Sequence, residues 1–155
     1  MPKRSAGVLM FRKSGAEFAV LLVHPGGPFW RNKDRGAWSI PKGEYAEGEE
    51  PLAVARRELE EETGARPRGA FSSLGDVVQT GGKRVSAWAV EGDFDPAALV
   101  SNSFEIEWPP RSGRRATFPE VDRAEWFSPA VARDKIVAGQ RIFIDRLAQL
   151  IAKDE

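Results

Sequence analysis

The 155-residue chain contains no cysteine. Disulfides, zinc–thiolate centres and cysteine nucleophiles are therefore excluded. It has one histidine, so a site built from several imidazoles is excluded too. No apolar run approaches the roughly 20 residues of a membrane-spanning helix. Near the N-terminus the apolar run Val8–Phe11 is too brief for a secretory leader, and a cytoplasmic protein is expected. Net charge is also missing: 23 Lys plus Arg balance 23 Asp plus Glu. That balance disfavours a surface built to neutralise nucleic-acid phosphates, although a local basic patch stays open. What remains is oxygen-ligand metal chemistry, carboxylate acid–base chemistry, or plain binding. Apolar residues at 41% and charged residues at 30% suit a single globular domain over residues 1–155.

Alternation and turn residues divide the chain. Ala6–Phe11 and Phe18–Val23 read as strands about a Ser14–Gly15 turn. The loop His24–Gly36 is locally basic through Arg31, Lys33 and Arg35. Ala37–Ile40 reads as extended, and Pro41 forbids a helix there. The strongest helix is expected over Glu50–Thr63, with Pro51 in its first turn and Gly64 as its stop. Its apolar stripe is Leu52, Ala55 and Leu59. Phe71–Val78 and Arg84–Val90 read as a hairpin turned at Gly81–Gly82. Phe94–Arg115 reads as irregular, Ala124–Phe127 as a last strand. Pro129–Val137 and Gln140–Ala152 read as helices, the second with a stripe of Phe143, Leu147, Leu150 and Ile151. This order fits an α/β (α+β) fold, an α/β/α sandwich.

Arg56–Gly64 is the most informative stretch. Glu58, Glu61 and Glu62 stand at i, i+3 and i+4 and share one helix face. Like charges so spaced cost roughly 0.2–0.5 kcal/mol per pair. Arg57 offsets Glu61 at i+4, but not all three. The carboxylates also lie beside the apolar stripe, so they sit against the protein body. Clustered, partly buried carboxylates need a cation or must take up protons. All-oxygen ligands select Mg²⁺ or Mn²⁺ before zinc. Glu60 points to the far side, into solvent. A solvated acidic face is the competing explanation.

The preceding loop shifts the balance. Gly43, Glu49, Arg57, Glu58, Leu59, Glu61, Glu62, Gly64 and Ala65 spell G-x5-E-x7-R-E-L-x-E-E-x-G-A. This resembles the signature of the Nudix hydrolase family, in which the final position is usually bulkier than Ala65. The resemblance implies an α/β/α sandwich with a mixed central sheet. It implies a hydrolase of nucleoside diphosphates linked to another group, using Mg²⁺ or Mn²⁺. It gives Glu58, Glu61 and Glu62 as metal ligands, with the carbonyl next to Gly43 as a further oxygen. Arg57 would orient the carboxylates, and Glu49 would close the loop onto the helix. An extra acid from outside the motif is expected at Glu120, with Asp122 and Glu125 as alternatives.

The lead-in W-S-I-P-K-G-E, Trp38–Glu44, resembles that of dinucleoside polyphosphate and diphosphoinositol phosphate hydrolases. Lys42 is thus expected to meet a phosphate, with Arg31 and Lys33 adding charge. Where dinucleoside polyphosphate hydrolases carry a stacking tyrosine, this chain has Ala87. A base would need Trp30, Tyr45 or Trp108 instead. His24 is expected to be structural. Two other readings remain: a nucleotide sensor without turnover, and an RNA 5′-end pyrophosphohydrolase, which the charge balance does not favour. A homodimer is possible, as in many family members, but no residue marks an interface.

Overall fold

The computed structural model describes residues 3–153. Its centre is β1 (Arg4–Ser14), buried without a break from Ser5 to Phe11. A strand covered on both faces reads as a continuous apolar run, which is what Ala6–Phe11 is. β2 (Glu17–Pro25) pairs antiparallel with the far end of β1. The short β3 (Lys42–Glu44) pairs antiparallel with its start, Gly7 opposite Lys42. β5 (Arg84–Glu91) lies parallel to β1 along its length, so the sheet is mixed. β4 (Ser72–Val78) and β8 (Val121–Phe127) complete the order β4-β5-β1-β2-β8.

Alternation along the strands feeds two cores. Val8, Met10, Leu21 and Val23 pack with Val54, Ala55 and Leu59 of α1 (Pro51–Thr63). Leu9, Val20 and Leu22 pack on the other face with Trp38, Ala132 and Ile136. There α2 (Pro129–Lys135) and α3 (Arg141–Lys153) supply the cover, the latter through Phe143, Ile144, Leu147 and Ile151. Each Val, Leu, Ile, Met or Phe among them contributes about 1.5–3 kcal/mol by leaving water. The result is the expected α/β/α sandwich.

Several expectations need correction. The stripe of α1 is Val54, Ala55 and Leu59, while Leu52 is only half-buried. In α3 the buried stripe includes Ile144, and Leu150 packs at its margin. Phe94–Arg115 is not all irregular. It contains β6 (Ser103–Glu107), which pairs antiparallel with β7 (Arg115–Pro119), Phe104 opposite Phe118. The strands are five residues each and half-buried on one side only, so their alternation is weak against the prolines between them. β3 also escaped notice, because Lys-Gly-Glu has no apolar side chain and is held by backbone pairing. Among the described residues no helix is long and apolar enough to cross a membrane.

Candidate active site

The site is built around α1. Glu50 caps its N-terminus, its carboxylate accepting from Leu52 N (3.2 Å) and Ala53 N (2.8 Å). Gly64 ends it at φ 88°, in the left-handed region, and donates to Glu60 O at 2.7 Å. Burial of Val54, Ala55 and Leu59 fixes the helix's rotation. That rotation carries Glu58 and Glu62 towards β3 and leaves Glu60 outside, paired with Arg66 at 2.6 Å.

Glu62 is buried, and its Oε2 accepts the Lys42 N–H at 3.1 Å. Glu58 folds over Gly43: a Cβ there would lie 2.2 Å from the Glu58 carboxyl carbon. Only glycine allows that approach. The Arg57 guanidinium lies 3.6 Å from Glu49 and 3.9 Å from each of Glu58 and Glu61. Glu49 also accepts from Ala46 N at 2.8 Å, turning the loop onto the helix.

Burial pushes the Glu62 carboxyl up to about 8, and the neighbouring Glu58 charge adds to the rise. Burial, then Glu61, raises Glu58 as well, and Glu120 raises both. Glu120 and Glu62 line one cavity of about 160 Å³ with Lys42, Pro25 and Ser39. The backbone of Glu120 is pinned on both sides, accepting from Gly26 N (2.9 Å) and donating to Asn102 O (2.8 Å). Of its alternatives, Asp122 is bonded to His24 and Glu125 is exposed on β8, and neither lines this cavity.

Across from the carboxylates, burial pulls the Lys42 ammonium down to about 8, and the facing Lys83 ammonium pulls it further. Lys83 escaped the sequence reading. Its one signal is a basic residue beside the Gly81–Gly82 turn. Only the pairing of both β3 and β5 with β1 brings it to Lys42.

The other expected residues do not line this cavity. Arg31 and Lys33 sit on the exposed loop, with Lys33 4.9 Å over the Trp30 ring. Tyr45 packs against the α1-side core. Ala87 is fully buried. Phe29 is 62% exposed and meets Trp108 edge to face at 5.3 Å. His24 is fully buried, bonded to Asp122 (2.8 Å) and to Lys33 O (2.6 Å). Among the described residues no three acidic or imidazole side chains form a ready-made cation cage.

A NUDIX domain model matches residues 1–147. An octanoyltransferase of Myxococcus xanthus is 30% identical over 136 residues, 87% of this chain and 33% of that protein. An RNA pyrophosphohydrolase of Bartonella henselae is 37% identical over 68 residues, 41% of this chain and 36% of that protein. The chain spans about a third of the length of these two relatives. Among solved structures, a Caenorhabditis elegans Ap4A hydrolase binary complex superposes with a TM-score of 0.68. Identity is 18%, over 96% of this chain and 98% of that one. The NUDIX domain of Shewanella oneidensis NrtR, complexed with ADP ribose, gives 0.66 at 18%, over 97% and 89%. At such identities the likeness is one of fold.

Proposed function

The chain belongs to the NUDIX domain family, and from that premise we propose that it is a divalent-metal-dependent pyrophosphohydrolase. Its substrate is a nucleoside-diphosphate-linked or dinucleoside polyphosphate, cleaved at a phosphoanhydride by water. The observation that carries this reading is the buried Glu62, beside the half-buried Glu58, facing Lys42, which in turn meets Lys83. One half suits a cation and the other a polyanion.

The donor chemistry fits a divalent ion. Glu58, Glu61, Glu62 and the carbonyl beside Gly43 are all hard oxygens, suited to Mg²⁺ or Mn²⁺. Burial first, and then the neighbouring carboxylates, raise Glu58 and Glu62 despite Arg57 and Lys42, so keeping both ionised calls for added positive charge. When bound, the ion neutralises phosphoryl charge and acidifies a water. The rest falls to the protein's own groups. Arg57 holds Glu58 and Glu61 in place. Lys42 and Lys83 take phosphate charge. Glu120, in the same cavity, is the candidate base. The exposed Trp30, beside the Phe29–Trp108 pair, offers a stacking surface for a base.

The test is a substrate panel of dinucleoside polyphosphates, nucleoside triphosphates, nucleotide sugars and diphosphoinositols with Mg²⁺ or Mn²⁺. Glu58→Gln and Glu62→Gln should each abolish turnover while the circular dichroism spectrum of the folded chain persists. Near wild-type rates in both variants would overturn the assignment.

A second reading, an RNA 5′-end pyrophosphohydrolase, is favoured by the match to the Bartonella henselae protein. It predicts activity on triphosphorylated RNA that falls steeply with salt. Salt-insensitive hydrolysis of small nucleotides supports the first reading.

A further inference from the structure

A second and larger cavity, about 730 Å³, opens between the C-terminal half of α1 and the segment that follows it, residues 65–71. It shares no lining residue with the cavity that holds Glu62, Lys42 and Glu120. Four guanidiniums border it: Arg56, Arg57, Arg66 and Arg68. Only one carboxylate, Glu60, stands among them. On a chain whose charges balance, 23 against 23, this is a strong local excess of one sign. Glu60 is engaged by Arg66 at 2.6 Å. Arg57 is engaged by Glu49, Glu58 and Glu61. Among the described residues, neither Arg56 nor Arg68 has a carboxylate within ion-pair distance. Arg56 instead lies over the Phe71 ring, 4.9 Å from its centroid.

The lining has a second character. Half-buried Pro67 and Phe71, over the buried Leu59 and Ala65, give it an apolar floor. Guanidinium groups bind phosphate oxygens in a planar, two-pronged fashion. A flat ring gains from an apolar floor and from an aromatic–guanidinium stack. The volume lies within the several-hundred-Å³ range of small-molecule sites, roughly 300–1,000 Å³. An inorganic anion would use the arginines and leave the floor wet. A ligand with both a phosphate group and a flat heterocycle uses the whole surface.

We propose that this cleft is a nucleotide-binding site separate from the carboxylate site, taking a nucleoside diphosphate with its phosphates on Arg68 and on Arg66, which the phosphates draw away from Glu60. The base lies on the Pro67–Phe71 floor. Binding there needs no divalent ion, because the arginines supply the charge. Arg57 borders the cleft and also holds the catalytic-helix carboxylates, so the two faces of α1 share one side chain.

The experiment is a titration of the ¹⁵N-labelled chain with ADP in EDTA, followed by amide shifts, with pyrophosphate in parallel. Saturable shifts are expected at Gly64, Arg66, Arg68 and Phe71. The Arg66→Gln/Arg68→Gln variant should weaken ADP about tenfold, the effect of roughly 1.4 kcal/mol, a modest figure because both side chains are exposed. Its fold should persist, since Arg66 gives up only a surface pair. Phe71→Leu should weaken ADP and leave pyrophosphate unchanged. The proposal is overturned if the shifts are confined to residues around Lys42, Glu62 and Lys83. It is equally overturned if the double variant binds ADP as the parent does, or if pyrophosphate binds as tightly as ADP. Because the readout is binding without metal, loss of hydrolysis leaves it untouched.

Discussion

Glu58 rests on Gly43 so closely that no side chain fits between them; a Cβ at 43 would come 2.3 Å from Glu58 Oε1. The loop and the helix of the motif are therefore keyed together by one missing methyl group. Gly43→Ala must push Glu58 off its position or shift β3. The expected result is a loss of kcat of at least about tenfold, from the misplaced carboxylate, with little change in stability, because the atoms displaced are the far end of the flexible Glu58 side chain. Steady-state kinetics beside urea denaturation check it. Unchanged kcat would show that Glu58 acts from elsewhere.

Lys83 should act on binding and not on the chemical step. Lys83→Met removes one of the two ammonium groups facing the site while leaving the carboxylates in place. KM for a polyphosphate substrate is expected to rise roughly tenfold, as for loss of one charge-assisted contact, with kcat nearly constant. The same change should restore the Lys42 ammonium towards its ordinary range, since Lys83 adds to the depression that burial begins. A fall in kcat at constant KM would contradict this division of roles.

The pH dependence of stability follows from Glu62. Its carboxyl rises from 4.5 to about 8 on folding, so the folded protein binds the proton more tightly. Below about 4.5 the group is protonated in both states and exacts no penalty. Stability should therefore fall as pH rises from about 4.5 to about 8. Lys42, lowered from 10.5 to about 8, works in the opposite sense above that point, and stability returns between about 8 and 10.5. Urea denaturation of the metal-free protein across this range should show a minimum near pH 8 that Glu62→Gln removes. A flat profile in the parent would show Glu62 to be less perturbed than its burial implies.

His24 should matter for folding. Its two nitrogens join Asp122 on β8 to the Lys33 carbonyl of the basic loop, wholly out of water. His24→Ala leaves that carbonyl unpaired and opens a void beside Trp38, whose ring meets His24 at 5.1 Å. A loss of about 2–4 kcal/mol is expected, with faster amide exchange across residues 26–36. Unaltered exchange there would show the loop to be anchored by other contacts, such as Gly36 N to Asp134 O.

Much of the fold could be read from local pattern. The long runs of β1 and β2, the cap and stop of α1, and the amphipathic α3 each follow from neighbouring residues. The hairpin of β6 and β7 could not, because half-exposed strands of five residues carry too little alternation. Tyr45 and Trp30 look alike in sequence as candidate platforms, yet Tyr45 packs on a core and Trp30 faces solvent. Exposure is a property of the assembled layers, and composition does not encode it.

The sequence by itself determined that Glu58, Glu61 and Glu62 share one helix face, since a 3.6-residue turn is set by the helix's own hydrogen bonds. It likewise determined that Gly43 and Glu49 precede them at fixed spacing. Only the tertiary structure decided that Lys83 meets Lys42, that Glu120 opens into the cavity of Glu62, and that four arginines gather beside α1. Those meetings depend on strand register and on which face of a helix is buried. Both are fixed by contacts between segments far apart in the chain.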